Sequence, residues 1–217
     1  RLYSISSSPK SHPREVHLTV AIIKYNNFER DRFGLATGEL SNRIEVNKTR
    51  IPVYIQPTKE FVIPEDRSKD IIMIGPGTGI APFRAFLEQR IEEKGAGRNW
   101  LFFGEVHEKS TFFYKDEWFE AMKKGHLQKL TTAFSRDQEH KIYVQHRLLG
   151  NSKEIWEWLQ SGSYFYVCGD KQYMAKDVHS ALIEIAQKEG KLKKEDAENY
   201  INQTLMKDER RYLRDVY

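Results

Sequence analysis

Gly75-Pro76-Gly77-Thr78-Gly79-Ile80-Ala81-Pro82 stands between a short apolar run, Ile71–Ile74, and a helical pattern that starts at Phe83. Glycines let main chain approach a phosphate closely, and a helix start offers free N–H groups and the positive end of its dipole. Pro82 suits a first helical turn, where its missing N–H costs nothing. The spacing is G-x-G-x-G, with Ile80 where the dinucleotide fingerprint has its last glycine. Such a turn also serves as a plain strand-to-helix connection; the flanking strand and helix tilt the reading toward phosphate. A second segment, Ser135 to Gln145, follows the run Leu127–Phe134. Its Ser135, Arg136, Lys141 and Tyr143 offer hydroxyl, guanidinium, ammonium and phenol donors, a shell for a dianionic phosphate. A site for an unphosphorylated ribose would carry an acidic residue at the 2′-hydroxyl instead. The plain alternative is a solvated loop of mixed charge, in which Asp137 and Glu139 are expected to point outward. Third is the single cysteine, Cys168, closing the run Tyr164–Cys168 ahead of Gly169-Asp170. A lone cysteine is commonly a small core hydrophobe; here it also falls where a strand's carboxyl edge would meet a nicotinamide. No second cysteine exists for a disulfide, and the seven histidines lack ligand-like spacing, so no metal is expected.

The elements that must position these groups divide at residues 68/69. From 69 onward, apolar runs at 71–74, 100–103, 127–134, 164–168 and 212–216 alternate with helical patterns. Those patterns are Phe83–Ile91, Tyr114–Lys124, Ile155–Leu159, Val178–Ala186 and 195–208. Alternating strands and helices predict a doubly wound parallel sheet of five strands, with ligands at the strands' carboxyl ends. Residues 1–68 read as β structure. RLYSISSS reads as a strand, Val16, Leu18, Val20 and Ile22 alternate with period two, and Ile51–Ile55 reads as a further strand. These predict a partial antiparallel β-barrel. Three or four strands do not close a barrel, and the chain opens without methionine inside a strand, so a piece of a longer polypeptide is expected.

Composition narrows the classes. Hydrophobic residues at 39% and aromatics at 12% supply a core and argue against a disordered chain. No apolar run approaches the ~18 residues a membrane span requires. The net charge of +4 suits a polyphosphate ligand or an acidic partner, whereas a nucleic-acid binder would show dense basic clusters. Low cysteine use is compatible with a reducing compartment, so a cytoplasmic location is expected.

RLYSISS, GPGTGIAPFRAF, NWLFFG, SRDQ with K-x-YVQ, YVCGD with MAKDV, and RRYLRDVY occur in an order and spacing similar to the ferredoxin–NADP reductase superfamily. Over its whole length the chain resembles the FAD- and NADPH-binding module of the diflavin reductase branch. The ending in Asp215-Val216-Tyr217 looks most like the sulfite reductase flavoproteins of that branch; cytochrome reductases usually have tryptophan where Tyr217 stands. The resemblance implies a FAD side over 1–68 and an NADP side over 69–217. It implies that Arg1 pairs with the FAD pyrophosphate, with Leu2 alongside. Tyr3 would stack on the isoalloxazine and Ser4 would lie near flavin N5. Thr19, Val20 and Ala21 would line the ribityl or adenine side, and Tyr25 would stack on adenine. Gly34, Leu35, Ala36 and Thr37 resemble a second pyrophosphate loop, although Glu39 stands where the family usually has an aromatic. Thr78 would serve the NADP pyrophosphate. Ser135, Arg136, Lys141, Ile142, Tyr143, Val144 and Gln145 would form the 2′-phosphate pocket, with Asp177 a further NADP contact. Tyr217 would cover the flavin until nicotinamide displaces it.

The activity implied is hydride transfer from NADPH to FAD, with Ser4, Cys168 and Asp215 as the catalytic set. FMN would lie in a flavodoxin-like domain outside this chain. The final acceptor would be a hemoprotein subunit that reduces sulfite, which makes the chain part of a hetero-oligomer. Two rivals stand beside this. One is another diflavin reductase, such as a cytochrome reductase; the other is a nucleotide-binding module without catalysis, for which Ser4, Cys168 and Asp215 would be superfluous. Taken singly, Tyr3 could be a barrel-core aromatic, Ser4 a ladder residue, Asp215 a surface strand residue and Tyr217 a frayed end.

Overall fold

The computed structural model describes residues 1–217. A hairpin of β1 (Lys24–Asn27) and β2 (Arg30–Phe33) and a helix α1 (Leu35–Asn42) come first. Five strands then follow: β3 (Ile71–Ile74), β4 (Asn99–Glu105), β5 (Lys129–Phe134), β6 (Tyr164–Gly169) and β7 (Tyr212–Val216). They pair in parallel in the order β5-β4-β3-β6-β7, as the alternating pattern predicts. The chain winds outward from β3 through β4 to β5, then returns to β6 beside β3. The reversal opens a crevice at the carboxyl ends of β3 and β6.

Strands covered on both faces need unbroken apolar sequence, and Ile71-Ile72-Met73-Ile74 supplies it, all four fully buried. Alternate side chains feed opposite layers. Ile72, Ile74, Trp100, Phe102, Phe165 and Val167 pack under α5 (Val144–Gly150), α6 (Ser152–Gln160), α7 (Met174–Gly190) and α8 (Lys194–Asn199). A π-helical stretch, Tyr200–Asp208, leads from α8 toward β7. Ile71, Met73, Leu101, Phe103, Tyr166 and Cys168 pack on the other face against α2 (Ala81–Glu92) and α4 (Lys115–Lys123). A short turn of helix, α3 (Glu108–Thr111), connects β4 to α4. No helix is long and apolar enough to cross a membrane.

The barrel reading of 1–68 is not borne out. Ile5 and Leu18 share one isolated bridge, and neither 1–8, 16–23 nor 51–55 forms a ladder. Alternation marks a face, but a strand exists only where a neighbour supplies its hydrogen bonds. Here Val16, Ile22, Val53 and Tyr54 are exposed. The hairpin that does form turns at Phe28-Glu29, both with positive φ (50° and 58°), without the glycine or asparagine that such turns favour. The region is nonetheless anchored. Phe61 packs on Phe83, Phe86 and Tyr166, and the Tyr166 hydroxyl donates to the Val62 carbonyl at 2.8 Å. The Ser8 N–H donates to Glu88 at 2.7 Å, while Lys10 and Arg67 both pair with Glu93 on the loop after α2.

Candidate functional site

The crevice begins at the glycine turn. Gly77 sits at φ +56°, and a Cβ there would meet nothing closer than the Glu105 carboxylate at 3.7 Å, so its main chain faces open space. Gly79 is different: a Cβ would lie 2.1 Å from the Cys168 carbonyl oxygen. Gly79 therefore lets the turn press against the end of β6. Gly169, at φ +133°, lets the chain leave that strand beside it.

Cys168 pairs with Asp215 across β6 and β7. The Ser4 hydroxyl donates to Asp215 Oδ2 at 3.2 Å, joining positions 211 residues apart. Burial pushes the Cys168 thiol up to about 12; the Asp215 charge adds to this and the Ser4 hydroxyl opposes it. The thiol is thus a neutral, fully buried group at neutral pH. Tyr217 shares a 3.0 Å hydrogen bond with the Thr78 hydroxyl, while its main-chain N–H donates to Gly169 O and its carbonyl accepts from Lys171. The residue remains 62% exposed. The opening and closing segments of the chain, with Thr78 and Cys168, therefore meet at one edge.

The second segment extends from β5. The Ser135 and Arg136 N–H groups continue the ladder to the carbonyls of Glu105 and Val106. The side chains of Ser135, Arg136 and Lys141 make no hydrogen bond or ion pair within the chain, which leaves their donors free. Asp137 and Glu139 are exposed, as expected; the Asp137 carboxylate accepts from the Glu108 N–H at 2.8 Å and meets His107 Nδ1 at 2.8 Å. The Glu108 N–H, then His107, hold its carboxyl below the usual range. Val144 and Gln145 lie in α5 rather than a loop; Val144 and Leu148, four apart, are buried. Gln145 donates to Asp177 on α7 at 2.9 Å, so these two expected NADP contacts face one another. Ile142 is half-buried against the core and Tyr143 is exposed beside His146.

The groups expected around FAD are more dispersed. Arg1 and Leu2 are exposed, and Tyr3 is half-buried. Thr19 shares a 2.6 Å hydrogen bond with Tyr114, Val20 is half-buried, and Ala21 and Tyr25 are exposed. Gly34–Thr37 closes on itself: Thr37 Oγ1 accepts from the Ile23 N–H at 3.2 Å, and a Cβ on Gly34 would lie 2.7 Å from that oxygen. Leu35 is exposed and Ala36 half-buried. No hydrogen bond joins Tyr25 or 34–37 to Arg1–Ser4.

Sequence reasoning missed Arg84. Its guanidinium donates to the Ser6 carbonyl at 2.7 Å, to His17 Nδ1 at 3.2 Å and to Glu117 at 2.6 and 3.3 Å. The available signal is an arginine in register with Leu87 and Ile91, on a helix stripe where an apolar residue belongs. His12, Glu15 and His17 also cluster within 4.8 Å. Since Arg84 only donates, His17 Nδ1 must accept, which leaves the Nε2 proton directed at Glu15, 2.8 Å away. That arrangement is a hydrogen-bond relay rather than a ligand set.

Residues 73–180 match the family model of the oxidoreductase NAD-binding domain. The chain is 49% identical over 217 residues to the sulfite reductase [NADPH] flavoprotein alpha-component of Mannheimia succiniciproducens, covering 100% of this chain and 36% of that protein. Identity to the proteins of the same name is 47% in Vibrio parahaemolyticus, with 34% of that protein covered, and 46% in Bacillus subtilis, with 35% covered. Both alignments also span all 217 residues. The chain thus spans about a third of the length of the curated relatives it matches.

Proposed function

We propose that this chain, which matches the oxidoreductase NAD-binding domain model over residues 73–180 and is similar along its whole length to about a third of the length of the sulfite reductase flavoproteins, is a hydride-transfer module. In this reading it takes NADPH at the carboxyl edge of the parallel sheet and serves a flavin, FAD, held between residues 1–68 and that edge. The observation that carries the reading is the 3.2 Å hydrogen bond from Ser4 to Asp215 beside buried Cys168. A strand edge needs no such set merely to bind a nucleotide.

The residues present offer suitable chemistry for both groups, gathered at the crevice for the nucleotide and more dispersed for FAD. Gly77 offers uncovered main chain to the pyrophosphate, with Thr78 beside it. Ser135, Arg136 and Lys141, free of internal partners, would hold the 2′-phosphate with Tyr143, while Gln145 and Asp177 bound the adenosine side. Arg1 and Tyr3, with Thr19, Val20, Ala21, Tyr25 and 34–37, would hold FAD. When bound, FAD supplies the redox chemistry by accepting hydride from the nicotinamide. Ser4 orients the reacting edge. Asp215 places a fixed negative charge where the nicotinamide ring becomes positive, which costs no reorganisation at the moment of reaction. Cys168, protonated and fully buried, acts as neither base nor nucleophile; its sulfur supports the ring face and the position of Asp215. Tyr217, mostly exposed and held to Thr78 by one side-chain hydrogen bond, yields its place to the nicotinamide. Onward transfer would run through FMN in a flavodoxin-like domain outside this chain to a hemoprotein that reduces sulfite.

Stopped-flow reduction of the FAD-loaded protein by NADPH tests the reading. Asp215→Ala is expected to slow hydride transfer by about a hundredfold. An unchanged rate at full FAD occupancy removes Asp215 from the mechanism.

A further inference from the structure

Ser4 reaches Asp215 only if the opening segment is held against the sheet, yet residues 1–8 form no ladder of their own. Ser8 is tied to Glu88 and Gln89 on α2, and the tie nearest to Ser4 from that helix is one guanidinium. Arg84 lies on α2, directly after the glycine turn, and is 9% exposed. Nη1 donates to the Ser6 carbonyl at 2.7 Å, two residues from Ser4, and to His17 Nδ1 at 3.2 Å. Nε and Nη2 meet Glu117 on α4 at 2.6 and 3.3 Å, and Nη2 lies 3.1 Å from Glu88. The guanidinium also lies 4.9 Å from the ring centre of Tyr114, whose hydroxyl bonds Thr19. Ser6 and His17 are joined in turn, Ser6 N–H to His17 O at 2.8 Å. Both segments expected to face the flavin, 3–4 and 19–21, thus connect through Arg84 to the helix that follows the nucleotide turn.

We propose that Arg84 is a positioning residue for hydride transfer: it fixes the opening segment so that Ser4 stands at Asp215, and it touches neither nucleotide nor flavin. This rests on the hydride-site reading above. The planar fork matters, because one lysine ammonium cannot serve the Ser6 carbonyl, His17 and Glu117 in these directions together. Charge is conserved in Arg84→Lys, so loss of geometry is what that variant reports.

Two measurements on the FAD-loaded protein test it. Hydrogen exchange without NADPH is expected to rise about tenfold at the Ser6 and Ser8 amides in R84K, with the β3 and β4 amides unchanged. Stopped-flow hydride transfer at saturating NADPH is expected to fall about tenfold, well within what an ångström of misplacement can cost, with the Kd for NADPH unchanged. Glu117→Gln, which keeps Arg84 but loosens its anchor, is expected to move both readouts the same way by less. The double variant S4A/R84K is expected to be no slower than S4A alone, because both changes remove one function. Normal exchange and rate in R84K, or additive losses in the double variant, overturn the assignment of Arg84. An S4A rate equal to wild type overturns instead the hydride-site reading on which it stands.

Discussion

β3 and β1 are both four residues long, yet every side chain of Ile71–Ile74 is buried and every side chain of Lys24–Asn27 is exposed. β3 has parallel neighbours on both edges and helices on both faces; β1 has one neighbour and no cover. The same contrast runs through the molecule. Between 71 and 217 two apolar layers close around one sheet, whereas 1–70 contribute only Phe61 to the hydrophobic core. The later region holds its shape by burial. The earlier one is attached to it by polar ties at Arg84, Glu88 and Glu93 and by a single aromatic plug. The proposed site, built across the two, would join a wall held by burial to one held by polar ties.

That contrast can be broken by substitution. Phe102→Ala removes a ring from the middle of the sheet and is expected to cost about 3–5 kcal/mol in urea unfolding; a cost near zero would mean that the layers are not the source of rigidity. Arg136→Ala leaves both regions folded and is expected to weaken NADPH binding roughly ten- to hundredfold, measured by titration, with NADH affinity unchanged. Equal losses for both nucleotides would move the 2′-phosphate elsewhere. The polar ties predict an acid-sensitive joint. Arg67 first, then Lys10, hold the Glu93 carboxyl down to about 2 from 4.5. The folded state therefore favours the charged form, and the resulting stability is present in full above 4.5 and lost as pH falls toward 2. Glu93→Gln is expected to flatten the dependence of the melting temperature on pH in that window. Smallest of all, Tyr54→Ala, on an exposed segment without a ladder, is expected to shift stability by under about 0.5 kcal/mol.

The sheet was legible in sequence because strands buried on both faces spell themselves as unbroken apolar runs, as at 71–74 and 100–103. The hairpin at 24–33 was not, since Phe28-Glu29 carries no turn residue, and α5 was obscured by the polar segment ahead of it. Period-two alternation at 16–23 was real but found only the isolated bridge of Leu18 to Ile5 and the bond from Ser6 N–H to His17 O. At the site, the residue types of Ser4, Thr78, Cys168, Asp215 and Tyr217 were readable, and their meeting is a consequence of topology. The surface partners of Asp137, His107 and the Glu108 N–H, were not legible because they lie about thirty residues away in sequence. Arg84 was hidden because a charged residue on a helix reads as surface.

The contact of Gly79 with the Cys168 carbonyl has a practical consequence for redesign. The turn and the sulfur-bearing strand form one block in which no side chain can be added at position 79 without moving main chain. In the proposed reading, cofactor preference would reside instead in the unpaired donors of Ser135, Arg136 and Lys141, on the far side of β3 and β4. Libraries aimed at switching the pyridine nucleotide should therefore randomise that loop and leave the turn untouched, since the two can be varied without trading one against the other.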